Sequence, residues 1–312
     1  MKMKMKKLIA VLAVAGMTAV FFTGCGNSEA DTAGNGTEDE KADAAENEGG
    51  WDPSMDITIV SREDGSGTRG AFVELFGIEE KQGDEKVDMT TDEAQITNST
   101  SVMMTTVAGD DYAIGYVSLG VLDDSVKALQ IDGVEASAEN VKNGSYKVSR
   151  PFNIATKKDL SNEVAKDFIN FIMSEEGQAV VAEENYIPLD DVKPFEGTNP
   201  SGKAVVGGST SVSPVMEKLI EAYKKINANA EIELQTSDST TGMTSTIDGN
   251  YDIGMASREL KDEEKAELTG QVIATDGIAV VVNNNSTVEG LTSEQVKAIY
   301  TGETITWDEV LE

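Results

Sequence analysis

The chain has no histidine and a single cysteine among its 312 residues. Without an imidazole there is no Ser-His-Asp or Cys-His nucleophile pair, and without a Cys/His cluster there is no zinc site. EF-hand spacing is missing as well, and Asp123-Asp124 and Asp190-Asp191 read as solvated turns. Positive charge is scarce: 25 Lys and Arg stand against 56 Asp and Glu, a formal net charge of −31. Nothing neutralises phosphates over an extended path, which excludes nucleic acid as a partner. A long hydrophobic run is also lacking, since the apolar stretch Leu8 to Phe22 is too short for a membrane span. The chemistry left is binding rather than turnover. No enzyme activity, no metal and no cofactor are expected.

The short apolar run follows Lys2, Lys4, Lys6 and Lys7 and ends at Phe22-Thr23-Gly24-Cys25. This is the pattern of a signal peptide, residues 1–25. The small residues before the lone cysteine resemble the lipobox of bacterial lipoproteins, in which Cys25 becomes the lipidated N-terminus. Phe22 departs from the leucine usual there. Residues 26–56 follow, and up to residue 50 they are mostly Gly, Ala, Asn, Thr, Asp and Glu without apolar periodicity. Such a segment cannot bury a core and is expected to be a disordered acidic tether. The domain beyond it would float off a membrane surface, held by lipid.

The domain opens with an apolar, β-branched run (Ile57, Ile59, Val60), then Ser61-Arg62-Glu63-Asp64-Gly65-Ser66-Gly67-Thr68-Arg69, then Ala71, Phe72, Leu75 and Phe76 spaced like one helix face. A turn between a strand and a helix start offers free backbone N–H groups and the positive end of a helix dipole, which favour an anion. Gly65 and Gly67 let the backbone approach a ligand. Ser66 and Thr68 add hydroxyl donors, and Arg62 a planar fork suited to an oxyanion. Two more segments repeat the pattern. Val205 to Pro214 contains Ser209-Thr210-Ser211, with Ser213 read as the N-cap and Pro214 as the first helical residue. Thr236-Ser237-Asp238-Ser239-Thr240-Thr241-Gly242 follows the alternating strand Glu231–Gln235. Each segment by itself reads equally well as a capped helix start. An anion site must work against the global field here, but contact hydrogen bonds in a closed cleft are screened far less than distant surface charge.

Further strands are expected at 113–117, 152–156, 252–256 and 278–282. Helices are expected at 161–175, 175–183, 213–226 and 292–300. Alternating strands and helices imply an α/β architecture with open sheets. Leu189 to Lys203, with Pro194, Gly197, Pro200 and Gly202, lacks periodicity and reads as a connector.

The Arg62 segment, Ile96-Thr97-Asn98-Ser99-Thr100, Ile114-Gly115-Tyr116, Gly208-Ser209-Thr210-Ser211-Val212, Asp252 to Glu259, Asp276 to Asn283 and Ile299-Tyr300-Thr301-Gly302 together resemble the PstS family. These are the phosphate-binding proteins of phosphate ABC transporters. The resemblance spans about residues 57 to 312. It implies a two-lobe, type II periplasmic-binding-protein fold with phosphate in the interlobe cleft. By motif, the implied phosphate ligands are Arg62, Ser66, Gly67, Thr68, Thr210, Ser211, Ser239, Thr240 and Ser257. Some members carry Asp where Ser257 stands, so the carboxylate that accepts the phosphate proton is sought elsewhere. Asp64 is the first candidate and Asp276 the second. Arg258 is expected to play a structural role. The family's two halves stand here in inverted order, a circular permutation. Residues 57–148 with 285–312 would form one lobe and 149–284 the other. The crossovers would lie at Val148-Ser149-Arg150 and Asn283-Asn284-Asn285, and connector 189–203 would join the family's end to its start. The implied protein is a lipid-anchored, monomeric, extracytoplasmic phosphate receptor that serves ABC permease subunits. A receptor for sulfate or molybdate, or a surface phosphate sensor or adhesion module, are the alternatives.

Overall fold

The computed structural model describes residues 50–83 and 85–311. The expected signal peptide with Cys25, and residues 26–49 of the expected tether, lie outside the described residues. Two βαβαβ units account for most of the domain. In one, the strand Thr58–Arg62 pairs in parallel with Gln95–Thr97 and Ala113–Ser118, with helices Gly67–Leu75 and Thr100–Ala108 between them. In the other, Gly202–Ser209 pairs in parallel with Ala230–Ser237 and Ile253–Ala256, with helices Ser213–Ile226 and Ser239–Ile247 between them. Parallel neighbours need such crossovers, because a tight hairpin cannot reverse the chain twice. The amphipathic helices close the sheet faces. Phe72, Met103 and Val107 bury against Val60, Ile114 and Tyr116 in one core. Val215, Met216 and Leu219 bury with Val206 and Ile253 in the other.

Two antiparallel strands join the units into one sheet. Ser149–Lys157 lies beside Leu268–Val282, from Gly277 opposite Ser149 to Leu268 opposite Lys157, with a register shift between Val272 and Ala274. The 15-residue strand Leu268–Val282 serves both lobes. Ile273 and Ala274 belong to the core of the Thr210 lobe. Ile278 to Val282 belong to the core of the Arg62 lobe, where they pair with Ala113–Ser118. The second crossover is therefore at Asp276–Ile278 and not at Asn283–Asn285, and residues 278–284 move to the Arg62 lobe. The cause is that the apolar run Ile278–Val282 pairs with Ala113–Ser118, not with a strand of the Thr210 lobe. Asn283 lies inside that lobe, its amide donating to the carbonyls of Val107 and Ala108 at 3.2 and 2.9 Å. The other crossover falls between Val148 in one core and Phe152 in the other.

The connector is strapped to the Thr210 lobe. The Phe195 ring meets Phe171 edge-on at 5.5 Å, and Thr198 donates to Asp167 through its N–H at 2.7 Å and its hydroxyl at 3.0 Å. It ends earlier than the composition suggests, because Gly202 and Lys203 already pair with Ala230 and Glu231. At the far side of the Arg62 lobe, Thr306 bridges to Asp56, and the Ile57 N–H donates to the Ile305 carbonyl at 2.8 Å. Trp307 packs on Trp51 with ring centres 5.7 Å apart. No helix among the described residues is long and apolar enough to cross a membrane.

Candidate anion-binding site

Helix N-termini follow the carboxyl ends of parallel strands in both units, and that edge is where open α/β sheets bind ligands. Four helices start there: Gly67–Leu75, Thr100–Ala108, Ser213–Ile226 and Ser239–Ile247. Ser66, Ser99 and Asp238 cap three of them with side-chain oxygens. The fourth begins after Val212 without a side-chain cap. Ser213 is thus the first helical residue rather than the N-cap, because its hydroxyl turns back to the Ser209 carbonyl at 3.1 Å. First-turn N–H groups have no intrahelical acceptor, so these ends are sources of partial positive charge.

The hydroxyls carried by these turns meet across the lobe boundary. Thr68 Oγ1 lies 2.8 Å from Ser211 Oγ. Thr100 Oγ1 lies 3.2 Å from Ser211 Oγ and 3.4 Å from Thr210 Oγ1. Ser257 Oγ accepts from Ser209 Oγ at 2.9 Å and lies 3.5 Å from both Ser239 Oγ and Thr68 Oγ1. Thr68, Thr100, Ser209, Ser211, Ser239 and Ser257 are all buried, and Thr210 and Thr240 half-buried. Thr240 donates through its N–H and its hydroxyl to the Gly65 carbonyl, each at 3.2 Å.

Little room is left beside two glycines where the lobes touch. A Cβ on Gly67 would stand 2.4 Å from Ser239 Oγ and 2.9 Å from Ser257 Oγ, and one on Gly65 would stand 2.3 Å from Asp238 Oδ1. Ser66 is nearby, but its hydroxyl accepts from the Arg69 N–H at 3.3 Å as the helix cap.

Arg62 is the cationic member of the cluster. Nη2 donates to Thr210 Oγ1 at 3.1 Å and Nη1 to Thr100 Oγ1 at 3.4 Å. Nε and Nη2 also grip the Glu63 carboxylate, each at 2.8 Å. Arg258 stands behind Thr240 (Nη2 to Oγ1, 3.4 Å) with its fork on Glu264 at 2.7 and 2.8 Å. Its charge is thus balanced within its own lobe.

The two carboxylates that the sequence offers as proton acceptors are not part of this cluster. The Asp64 side chain is 98% exposed and pairs with Arg69 at 2.9 Å, because that arginine, one turn into the helix, holds it at the surface. Asp276 is buried at the lobe crossover, where it accepts from Arg150 Nη2 at 2.9 Å and Ser118 Oγ at 2.8 Å. Burial pushes its carboxyl up to about 6, against the pull of Arg150 and Ser118. Three residues of the cluster escape the motif reading: Thr100, Ser209 and Glu63. Thr100 has a signal, since Thr97-Asn98-Ser99-Thr100 is a fourth Ser/Thr turn between a strand and a helix.

An open groove of about 720 Å³, bordered by Thr100, Met104, Val121, Thr210 and Pro214, adjoins the cluster. The described residues hold no group of three or more His, Cys, Asp or Glu placed to take a metal ion. Hydroxyl donors, helix N-termini and one arginine at a lobe boundary suit a small oxyanion.

Two α/β lobes joined by two crossover strands, with a polar cluster between them, define a solute-binding protein. The chain matches the PBP superfamily domain over residues 41–176 and 194–312. It is 52% identical over 311 residues, 99% of both chains, to phosphate-binding protein PstS 2 of Streptococcus agalactiae. It is 43% identical over 309 residues to phosphate-binding protein PstS 2 of Streptococcus pneumoniae, covering 99% of this chain and 100% of that one. The crystal structure of a phosphate-binding protein of a phosphate ABC transporter from Streptococcus pneumoniae TIGR4 superposes with a TM-score of 0.66 at 46% identity, over 82% of this chain and 100% of that chain. The chain belongs to the PstS family of phosphate-binding proteins. Its relatives are binding components of transporters and not enzymes.

Proposed function

We propose that this protein captures inorganic phosphate between its two lobes, outside the cell membrane, and delivers it to the permease of a phosphate ABC transporter. The observation that carries the reading is the convergence of Arg62, Thr68, Thr100, Thr210, Ser211, Ser239 and Ser257 from both lobes onto one buried cluster. Phosphate oxygens would accept from these hydroxyls, from the Gly67 and Thr68 N–H groups and from Arg62. Ser66 would act through the helix cap and Thr240 through the Gly65 carbonyl. A ligand held by both lobes favours the closed form by its extra contacts there, which is the signal a permease can read. Calorimetric titration of the protein with phosphate, sulfate and molybdate tests the reading. Phosphate is expected to bind more tightly than either by about a hundredfold or more, roughly 2.7 kcal/mol. Tighter binding of sulfate or molybdate would reassign the receptor.

We propose further that Cys25 carries the lipid that holds the domain at the membrane. The supporting feature is the small-residue run before the chain's one cysteine. A Cys25→Ser variant should move from the membrane fraction into the medium, and a variant that stays membrane-bound would remove the anchor.

The inverted motif order leads us to propose a circular permutation. Three observations support it. Asp56 and Thr306 are bridged neighbours. The connector is a largely exposed strap anchored on the Thr210 lobe, and its length costs little in loop closure. The superfamily match is interrupted between residues 176 and 194, beside that connector. The order is shared with the Streptococcus agalactiae relative, which aligns over 311 residues. A rearranged chain that starts at Ala204, joins Val310 to Ile57 through a short linker and ends at Pro188 should bind phosphate within about threefold of the parent, less than 1 kcal/mol. An insoluble or non-binding product would count against the permutation.

A further inference from the structure

We infer that Gly120 and Tyr186 form a latch beside the lobe crossovers, and that the fit between them sets how tightly the cleft holds its ligand. The inference rests on the phosphate reading above. Tyr186 belongs to the core of the Thr210 lobe and is 2% exposed. Its backbone is tied to the strand Leu268–Val282 next to the second crossover, where Ile187 and Thr275 exchange two N–H···O bonds at 2.9 Å. Phe152, just past the first crossover, packs on its ring with centres 5.2 Å apart. Gly120 belongs to the other lobe. It sits in the turn Leu119–Val121, which follows the strand Ala113–Ser118 and packs on the core of the Arg62 lobe.

The two residues meet with no room to spare. A Cβ on Gly120 would stand 2.2 Å from Tyr186 Cζ, 2.5 Å from Cε1 and 2.6 Å from Cε2. Three ring atoms lie around that one position, so the glycine backbone rests on the phenol end of the ring. The ring is buried and cannot swing into solvent without unpacking. Phe152 lies against it, with the Arg150 guanidinium 5.4 Å from the Phe152 ring centre. Arg150 is fixed in turn by Asp276, which also accepts from Ser118 Oγ at 2.8 Å. Tyr186 Oη is buried without a hydrogen-bond partner among the described residues. Contact, rather than a hydrogen bond, therefore joins the ring to the Arg62 lobe.

The turn that carries Gly120 also reaches the ligand side. Its last residue, Val121, borders the groove that adjoins the hydroxyl cluster, together with Thr100 and Thr210. Among the described residues, neither Gly120 nor Tyr186 hydrogen-bonds a member of that cluster. Their route to the ligand is the relative position of the lobes. Thr68 and Thr100 of one lobe stand 2.8 and 3.2 Å from Ser211 of the other, and the Gly120–Tyr186 contact is made in that same arrangement. A close-packed contact takes an extra methyl only with strain. A side chain that does not fit at Gly120 thus disfavours the arrangement that builds the site. The apparent affinity then falls with the fraction of protein able to adopt it.

Calorimetric titration with phosphate, beside stopped-flow kinetics of its release, tests the inference on wild type, Gly120→Ala, Tyr186→Leu and the double variant. Gly120→Ala should weaken phosphate binding by about fivefold or more, mainly through faster release. In the Tyr186→Leu background the same change should cost less than about twofold, because the ring that the methyl would meet is gone. Gly120→Ala binding within about twofold of wild type would overturn the latch. So would an equal loss in both backgrounds, a loss confined to slower association, or a lowered stoichiometry at unchanged affinity. A second measurement needs no variant. In wild type, saturating phosphate should slow amide hydrogen exchange across residues 118–122 by about threefold or more. The slowing should exceed that across residues 303–310, at the far side of the same lobe. Unchanged exchange at 118–122, or equal slowing in both segments, would overturn the latch even if the variants fail to fold. Absence of phosphate binding by wild type would instead overturn the function proposed above.

Discussion

Arg62→Ala is expected to weaken phosphate binding by about thirtyfold or more while leaving the fold intact. Two other arginines near the lobe boundary cannot substitute: Arg258 is spent on Glu264, and Arg69 on Asp88 and Asp64. Arg150 gives Nη2 to Asp276, and its buried Nε and Nη1 have no hydrogen-bond partner among the described residues. The Arg62 side chain is 3% exposed, so its hydrogen bonds are made in a site nearly free of competing water. Truncation removes donors to Thr210 and Thr100 and leaves the Glu63 carboxylate without its counter-ion. Truncating one partner of a buried, charge-assisted pair costs roughly 2–5 kcal/mol. At about 1.4 kcal/mol per decade, the lower bound is already near thirtyfold. Arg62→Lys keeps the charge but not the fork, so it should recover only part of the loss. Titration calorimetry beside circular dichroism decides the matter. A loss under about threefold, less than 1 kcal/mol, with an unchanged spectrum would mean that the ligand charge is met elsewhere.

Much of this arrangement is legible in the sequence because local and tertiary signals agree. Ile57, Ile59 and Val60 followed by a Gly/Ser/Thr turn and a helical apolar face predict a strand, an anion turn and a helix, and the chain forms Thr58–Arg62 and Gly67–Leu75 there. The same holds around Thr210 and Ser239. Other elements have no such pattern. The hairpin Glu79–Gln82 with Glu85–Asp88 has one apolar residue, Val87, and owes its existence to cross-strand pairing. The first half of Leu268–Val282 contains Thr269, Gly270 and Gln271, a stretch without strand periodicity, and is extended because Ser149–Lys157 lies beside it. The crossover lies at Asp276–Ile278 for a separate reason, the pairing of Ile278–Val282 with Ala113–Ser118. In the site, motif chemistry identifies the hydroxyls but not the direction in which acidic side chains point. Glu63 and Asp64 are adjacent in sequence, yet one folds onto Arg62 and the other is drawn out by Arg69. Thr100 reaches Arg62 over 38 positions of chain, a meeting that only the folded sheet edge creates.

The second large effect concerns how close a helix can approach that sheet edge. Gly208→Ala is expected to lower the melting temperature by about 5–15 °C and to weaken ligand binding with it. Gly208 has φ 135°, a conformation L side chains rarely adopt. An added Cβ would stand 2.3 Å from the Met255 carbonyl oxygen, 3.0 Å from the Met255 nitrogen and 3.2 Å from Gly242 Cα. All three are backbone atoms, so no side chain can swing aside. Gly242, in the first turns of Ser239–Ile247, is the reciprocal contact: its Cβ would lie 2.7 Å from Gly208 Cα. The glycine pair thus seats that helix directly on the strand Gly202–Ser209, and this brings Ser239 within reach of the Ser209–Ser211 turn through Ser257. The unfavourable φ costs roughly 1–2 kcal/mol. Overpacking a close-packed interior adds about 1–3 kcal/mol. For a domain of this size each kcal/mol lowers the midpoint by about 2–4 °C. Gly133 separates the two causes, since it has φ 76° but nothing within 4 Å of the place a Cβ would take. Gly133→Ala should show only the backbone part, a drop of about 2–8 °C, and no change in affinity. A Gly208→Ala protein that melts with wild type would mean that the backbone there can move apart, and that the glycine pair does not set the position of the Ser239 turn in the cleft.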